Sequence, residues 1–152
     1  MTKSDDQEPK PPDLLYVSWG GTGRGAAFRR AYDRAAEEDR RIVYLAILDE
    51  DTFGDCEAPE LHLVVEELTW LLEAQVRLVD REDRTTEVTT RIEVAIGAVV
   101  DTVGDAVERL GADLVLVGAP VPLVHHESVE ALGRVLAERT GASVELIEPG
   151  AP

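Results

Sequence analysis

The sequence predicts an α/β fold: a five-stranded parallel sheet in the order 3-2-1-4-5 with helices on both faces. Three observations carry that prediction. Strand-like apolar segments alternate with helix-period segments along the whole chain, the pattern of crossover units in a parallel sheet. Strands one, two and four are nearly continuous apolar runs, as expected where both faces are covered. Strands three and five carry interspersed polar residues, as expected at the sheet edges. The order 2-1-3-4-5 would leave the nearly apolar run RIVYLAIL at an edge, which argues against it.

Each element has its own signal. The first strand is DLLYVSW, Asp13–Trp19, followed by the glycine-rich GGTGRG. A helix over Ala26–Glu38 follows from the stripe Phe28, Ala31, Tyr32 and Ala35, at spacings of three, four and seven. Ile42–Leu48 forms the second strand. Pro59 and Glu60 open a second helix over Glu60–Asp83, with Leu61, Val64, Val65, Leu68, Leu71, Leu72 and Val79 inward and Trp70 off that stripe. The third strand, TEVTTRIEVAI, alternates: Val88, Thr90, Ile92, Val94 and Ile96 share one side. A third helix over Ala98–Leu110 turns Val99, Val103, Val107 and Leu110 inward and is capped by Gly111. DLVLVGA is the fourth strand. Ser128 is the expected N-cap of a fourth helix running to Arg139, with Gly141 behind it. Ser143–Glu148 closes the sheet.

With 152 residues the chain suits one core. Residues 1–12 read as a disordered lead, 13–149 as a single domain and 150–152 as a tail. The longest apolar-leaning run, Leu114–Val124, falls short of the ~20 residues that span a bilayer. The start has no apolar signal region, so a cytoplasmic location is expected. The net charge of −16 disfavours nucleic acid and anionic membranes as partners. Lys3 and Lys10 are the only lysines. An acidic, lysine-poor surface suits a halophilic setting, where ~1 M salt screens charge within ~3 Å. Cys56 is the sole cysteine, so neither an internal disulfide nor a cysteine zinc site is expected.

Several segments together resemble the universal stress protein family, over about Leu14–Pro149. They are LLYVSWGG leading into an alanine-rich helix, the acid-ended second strand AILDED, the segment GADLVLVGA, and the closing unit RVLAERTGASVELIEP. The resemblance implies a Rossmann-like, adenine-nucleotide-hydrolase-like sheet of order 3-2-1-4-5 and a cytoplasmic homodimer paired through the fifth strand, here Val144, Leu146 and Ile147. Some family members bind ATP through Gly-x-x-Gly, nine residues, then Gly-Ser/Thr after strand four. Gly118 matches the first glycine. Val121 stands in place of the second, and Ala131 and Leu132 in place of Gly-Ser/Thr. Trp19 occupies the family's aspartate position at the end of strand one.

The expected function is therefore a non-catalytic, universal-stress-type regulatory module. It would act through dimerisation and a regulatory protein partner, with no cofactor and no metal. The alternative is an adenine-nucleotide (ATP or AMP) sensor with a remodelled loop. Its candidate residues are Trp19, Gly20, Gly21, Thr22, Gly23, Ile47 (through its backbone), Gly118, Ala119, His125, His126 and Ser128. A more remote alternative uses GTGRGA, Gly21–Ala26, a match to G-x-G-x-x-A with Asp49 and Glu50 closing the next strand. That would be a small Rossmann-like oxidoreductase, although one short domain leaves no room for a substrate module. The arginines of segment 24–41 read chiefly as a solvated, ion-paired helix face. A nucleophilic hydrolase is unsupported: there is no G-x-S-x-G elbow, and Ser18 falls within a strand. Leu63, Trp70 and strand five are the exposed apolar candidates.

Overall fold

A computed structural model describes residues 11–19, 25–49, 55–81, 88–118 and 126–147. Five strands, β1 (Leu14–Trp19), β2 (Ile42–Asp49), β3 (Thr90–Gly97), β4 (Leu114–Gly118) and β5 (Ser143–Ile147), form one sheet of order β3-β2-β1-β4-β5. All neighbouring pairs are parallel. The helices are α1 (Gly25–Glu38), α2 (Ala58–Asp80), α3 (Val99–Leu110) and α4 (His126–Thr140). The sheet order is the expected one. β2 lies inside the sheet, and β3 and β5 are its edges.

Connection direction decides which face each helix covers. Steps from β1 to β2 and from β2 to β3 move one way along the sheet, and right-handed crossovers place α1 and α2 on one face. The chain then returns past β1 to β4 and β5, which places α3 and α4 on the other. Two cores result. Tyr16, Tyr44, Leu116 and their neighbours pack against Phe28, Ala31, Tyr32 and Ala35 of α1 and Leu68, Leu72, Val76 and Val79 of α2. Leu15, Val17, Leu45, Ile47, Val115 and Val117 pack against Val103 and Val107 of α3 and Leu136 of α4. The strands alternate between the two cores, residue by residue.

The first core is aromatic at its centre. Phe28 meets Tyr16 edge-on at 5.7 Å between ring centroids and lies 5.2 Å from Tyr44, which meets Tyr16 edge-on at 4.8 Å. Buried tyrosine hydroxyls need partners, and α2 supplies them. Tyr44 donates to Gln75 Oε1 at 3.0 Å, and Tyr32 to Asp80 Oδ1 at 2.5 Å. The Tyr32 oxygen also accepts from the Val88 amide, which ties the approach to β3 into this core.

Several element readings are corrected. α2 begins at Ala58 and ends at Asp80 rather than spanning Glu60–Asp83. Leu71 is exposed, and Val76 takes the inward place instead. β3 starts at Thr90; Val88 is buried ahead of it, outside the ladder. α4 starts at His126, so Ser128 belongs to its first turn and is not its N-cap. Gly111 ends α3 as expected, at φ 66° with its amide on the Val107 carbonyl; glycine adopts that left-handed conformation without a Cβ penalty.

The amino-proximal side is clamped by Arg40. Its guanidinium bonds Glu38 at 2.7 Å, Asp113 at 2.6 Å and the Pro12 carbonyl at 3.1 Å. The expected lead thus ends in an ordered contact at Pro12; residues 1–10 lie outside the described part. The arginine is largely buried while its two acids are more exposed, so its loss removes charge-assisted bonds without burying a bare acid. Arg40→Met is expected to lower unfolding free energy by ~1–2 kcal/mol, read as a drop in the urea midpoint at unchanged slope.

Candidate functional site

In an open parallel sheet, ligands bind beyond the carboxyl ends of the strands where the winding reverses. Here the chain leaves β1 toward β2 and leaves β4 toward β5, so the crevice lies between the ends of β1 and β4. Register brings Trp19 beside Ile47, and Ser18 beside both Ala46 and Gly118. The sheet therefore assembles three expected candidates, Trp19, Ile47 and Gly118, at one rim. Gly20, Gly21, Thr22, Gly23, Ala119 and His125 lie outside the described residues. So do the side chains of Trp19, His126 and Ser128.

Beneath this rim three hydroxyl-bearing side chains, Tyr16, Ser18 and Tyr44, are buried. Tyr16 rises beneath β4 so closely that a Cβ on Gly118 would sit 2.5 Å from the phenol oxygen and 3.2 Å from Cζ. Two residues along β1, Ser18 is 2% exposed and hydrogen-bonds the Tyr44 side chain. Tyr44 spends its single proton on Gln75, so Ser18 is the donor in a Ser18–Tyr44–Gln75 relay. That relay explains a serine in an apolar strand: it completes a buried tyrosine and is no exposed nucleophile. Burial pushes the Tyr16 hydroxyl well above the usual tyrosine range, with the nearby Tyr44 adding to the rise. Burial pushes Tyr44 up to about 12, against the opposing effect of the Ser18 bond.

Ile47 buries its side chain in the α3/α4 core and is flanked by Trp19 and Ala95. Two further residues of β2, Leu48 and Asp49, extend past it before the ladder ends. At α4, the unpaired amides of a helix start belong to its first turn. Here that turn holds His126, Glu127 and Ser128. Ala131 and Leu132 fall in the second turn, where amides are spent on the helix itself. The positions that spacing assigns to Gly-Ser/Thr thus lie beyond the first turn of α4.

Arg34 pairs with Glu38 one turn on and bridges to Glu145 of β5 at 3.1 Å, in keeping with a solvated, ion-paired face. Val144 and Leu146 are half-buried against the α3/α4 core, and Ile147 is buried on the opposite face. The β5 side chains are thus largely committed inward. Leu63 and Trp70 are exposed. Cys56 is a free, half-buried thiol. Among the described residues, no group of His, Cys, Asp and Glu could hold a metal ion, and no helix is long and apolar enough to cross a membrane.

Comparison with known proteins agrees with this architecture. No curated protein matches the sequence. Solved structures match across nearly the whole chain. Universal stress protein UspA from Lactobacillus plantarum superposes with a TM-score of 0.59 at 20% identity, covering 91% of this chain and 99% of its own. The universal stress protein from Archaeoglobus fulgidus in complex with dAMP gives 0.60 at 13%, covering 89% and 97%. A universal stress protein in complex with cAMP gives 0.56 at 15%, covering 92% and 99%. At such identities these likenesses speak for the fold. The family model described as "Universal stress protein family" matches residues 15–144; spanning β1 to β5, that match shows that the chain belongs to the universal stress protein family.

Proposed function

We propose that this protein is a non-catalytic regulatory module of the universal stress type, working in the cytoplasm through contacts with a second copy and with protein partners. One observation carries the reading. Gly118, the one residue that keeps the ATP-loop pattern, is a glycine because Tyr16 leaves no room for a Cβ. Its presence is explained by packing and needs no phosphate. Val121, Ala131 and Leu132 hold the other pattern positions, and the last two sit inside α4. The outer edge of β5 is unpaired within the described sheet. Antiparallel pairing of two β5 edges would satisfy that backbone, with Val144, Leu146 and Ile147 stiffening the strand from behind.

A second reading is favoured by the dAMP and cAMP complexes of two structural relatives. A nucleoside monophosphate needs fewer phosphate donors than ATP. The β1–β4 crevice, with Trp19 and the Ile47 backbone at its rim, is where it would bind.

Titration calorimetry and thermal shift with ATP, AMP, cAMP and NAD, at high salt, decide between them. The regulatory reading expects no saturable binding. A dissociation constant for ATP below ~100 μM would overturn it, since ligand at 100 times Kd adds ~2.7 kcal/mol and raises the melting point visibly. Binding of AMP or cAMP without ATP would establish the second reading. NAD binding without adenylate preference would revive the oxidoreductase.

A further inference from the structure

The long helix α2 is apolar on two opposite sides. Its inward stripe is Leu68, Leu72, Val76 and Val79. Its outward stripe is Leu63, Trp70, Ala74 and Leu78, at helical spacings of seven, four and four, with Leu71 beside Trp70. Leu63 is 58% exposed, Trp70 64%, Leu71 49% and Leu78 65%. Scattered surface leucines need no explanation. Four large exposed side chains on one side of one helix, with Glu67 in the same row between Leu63 and Trp70, are more than scattered singles and mark a candidate interaction face.

The stripe has an internal symmetry. Leu63 and Leu78 are equally far along the chain from the midpoint between Trp70 and Leu71, and so are Glu60 and Arg81. A two-fold contact requires this kind of self-complementarity, with each residue meeting its counterpart at the mirrored position. Charge agrees in sign. Glu60 and Arg81 stand at opposite ends of the stripe, and the span between them carries both signs, with Glu66 and Glu67 in its amino-terminal half and Glu73, Arg77 and Asp80 in its carboxyl-terminal half. Antiparallel packing sets Glu60 against the partner's Arg81, twice. It also opposes the helix dipoles favourably. Parallel packing would set acid against acid. At the midpoint, Glu66, Glu67, Trp70 and Leu71 line a shallow notch of about 430 Å³, which can receive a neighbouring aromatic. An anionic lipid surface offers no basic group for Glu60 to pair with, whereas a second copy offers Arg81.

We propose that the outer face of α2 is a self-association surface, packing antiparallel against α2 of a second copy about a two-fold axis beside Trp70 and Leu71. This surface is separate from the β5 edge, and the disulfide trapping that tests it depends neither on nucleotide binding nor on β5 pairing. A stripe from Leu63 to Leu78 is about 22 Å long at ~1.5 Å per residue. A single helix pair buries an area at the small end of specific interfaces, so the association is expected at micromolar rather than nanomolar strength.

Disulfide trapping tests the geometry. In a Cys56→Ser background, Leu63→Cys and Leu78→Cys chains are prepared separately and mixed under mild oxidant. A covalent dimer is expected in the mixture and not in either variant alone, because equal positions lie about 22 Å apart along antiparallel helices. No dimer in the mixture, or equal dimer in the single variants, overturns the proposal. Sedimentation velocity gives a second readout. Trp70→Glu, with helical content checked by circular dichroism, is expected to raise the dissociation constant more than tenfold. Arg81→Glu is expected to raise it several-fold, and the swap Glu60→Arg with Arg81→Glu to restore it. A chain whose self-association ignores Trp70→Glu, or that stays monomeric at all concentrations, refutes the surface.

Discussion

Gly118→Ala is expected to lower the unfolding free energy by about 1–3 kcal/mol. The added methyl would sit 2.5 Å from the Tyr16 oxygen and 3.2 Å from its Cζ, closer than real contacts allow. Neither side yields easily. Tyr16 is fully buried and fixed edge-on against Phe28 and Tyr44. Gly118 is held between Ser18 of β1 and Ile147 of β5. Tyr16→Phe removes the nearer atom, so in the double variant the alanine is expected to cost less than it does alone. Urea denaturation of the wild type, both single variants and the double variant measures this coupling. The same variants bear on function. If ligand approach rather than packing requires the glycine, Gly118→Ala will keep full stability and lose nucleotide binding.

The second large effect is alkaline. Tyr16 and Tyr44 titrate above the ordinary tyrosine value of ~10 because burial disfavours the phenolate. Between pH 10 and the folded values, the unfolded chain has released these protons and the folded chain has kept them. The folded state then binds more protons, so stability falls as pH rises. The slope is about 1.4 kcal/mol per pH unit for each tyrosine, or about 2.7 for the pair. Lysine contributes little in this window, since Lys3 and Lys10 are the only lysines, and Tyr32 is the one further tyrosine. Urea midpoints taken from pH 9 to 11.5 are expected to hold level and then fall steeply above 10. Tyr44→Phe should reduce that slope by one tyrosine's share, about 1.4 kcal/mol per pH unit. A flat profile to pH 11.5 would mean that neither hydroxyl is buried as described.

Much of the fold could be read before any coordinates. The apolar run of β2 and the alternation of β3 told interior from edge, because a strand covered on both faces cannot carry regular polar residues. The α1 stripe Phe28, Ala31, Tyr32 and Ala35 is wholly buried, since only one side of that helix is apolar. The same reasoning misled at α2. That helix has apolar residues on two sides, so periodicity did not separate Leu71, which is exposed, from Val76, which is buried. The start of α4 was read two residues late, where Ser128 gave a plausible cap and His126 gave no signal of its own.

The candidate site was less legible than the fold. Gly118 matches the first glycine of a phosphate loop by spacing alone, because in a sequence a glycine needed for a ligand and one needed for a neighbour are identical. Tyr16 and Gly118 lie far apart along the chain, and only strand register places a phenol under that backbone. Ser18 likewise had no partner until Tyr44 came alongside. By itself the sequence determined the elements, their order in the sheet and the family, because each follows from local periodicity and turn chemistry. Only the tertiary structure decided what Gly118, Ser18 and the outer face of α2 are doing, because those roles depend on contacts between residues that the chain brings together only when it folds.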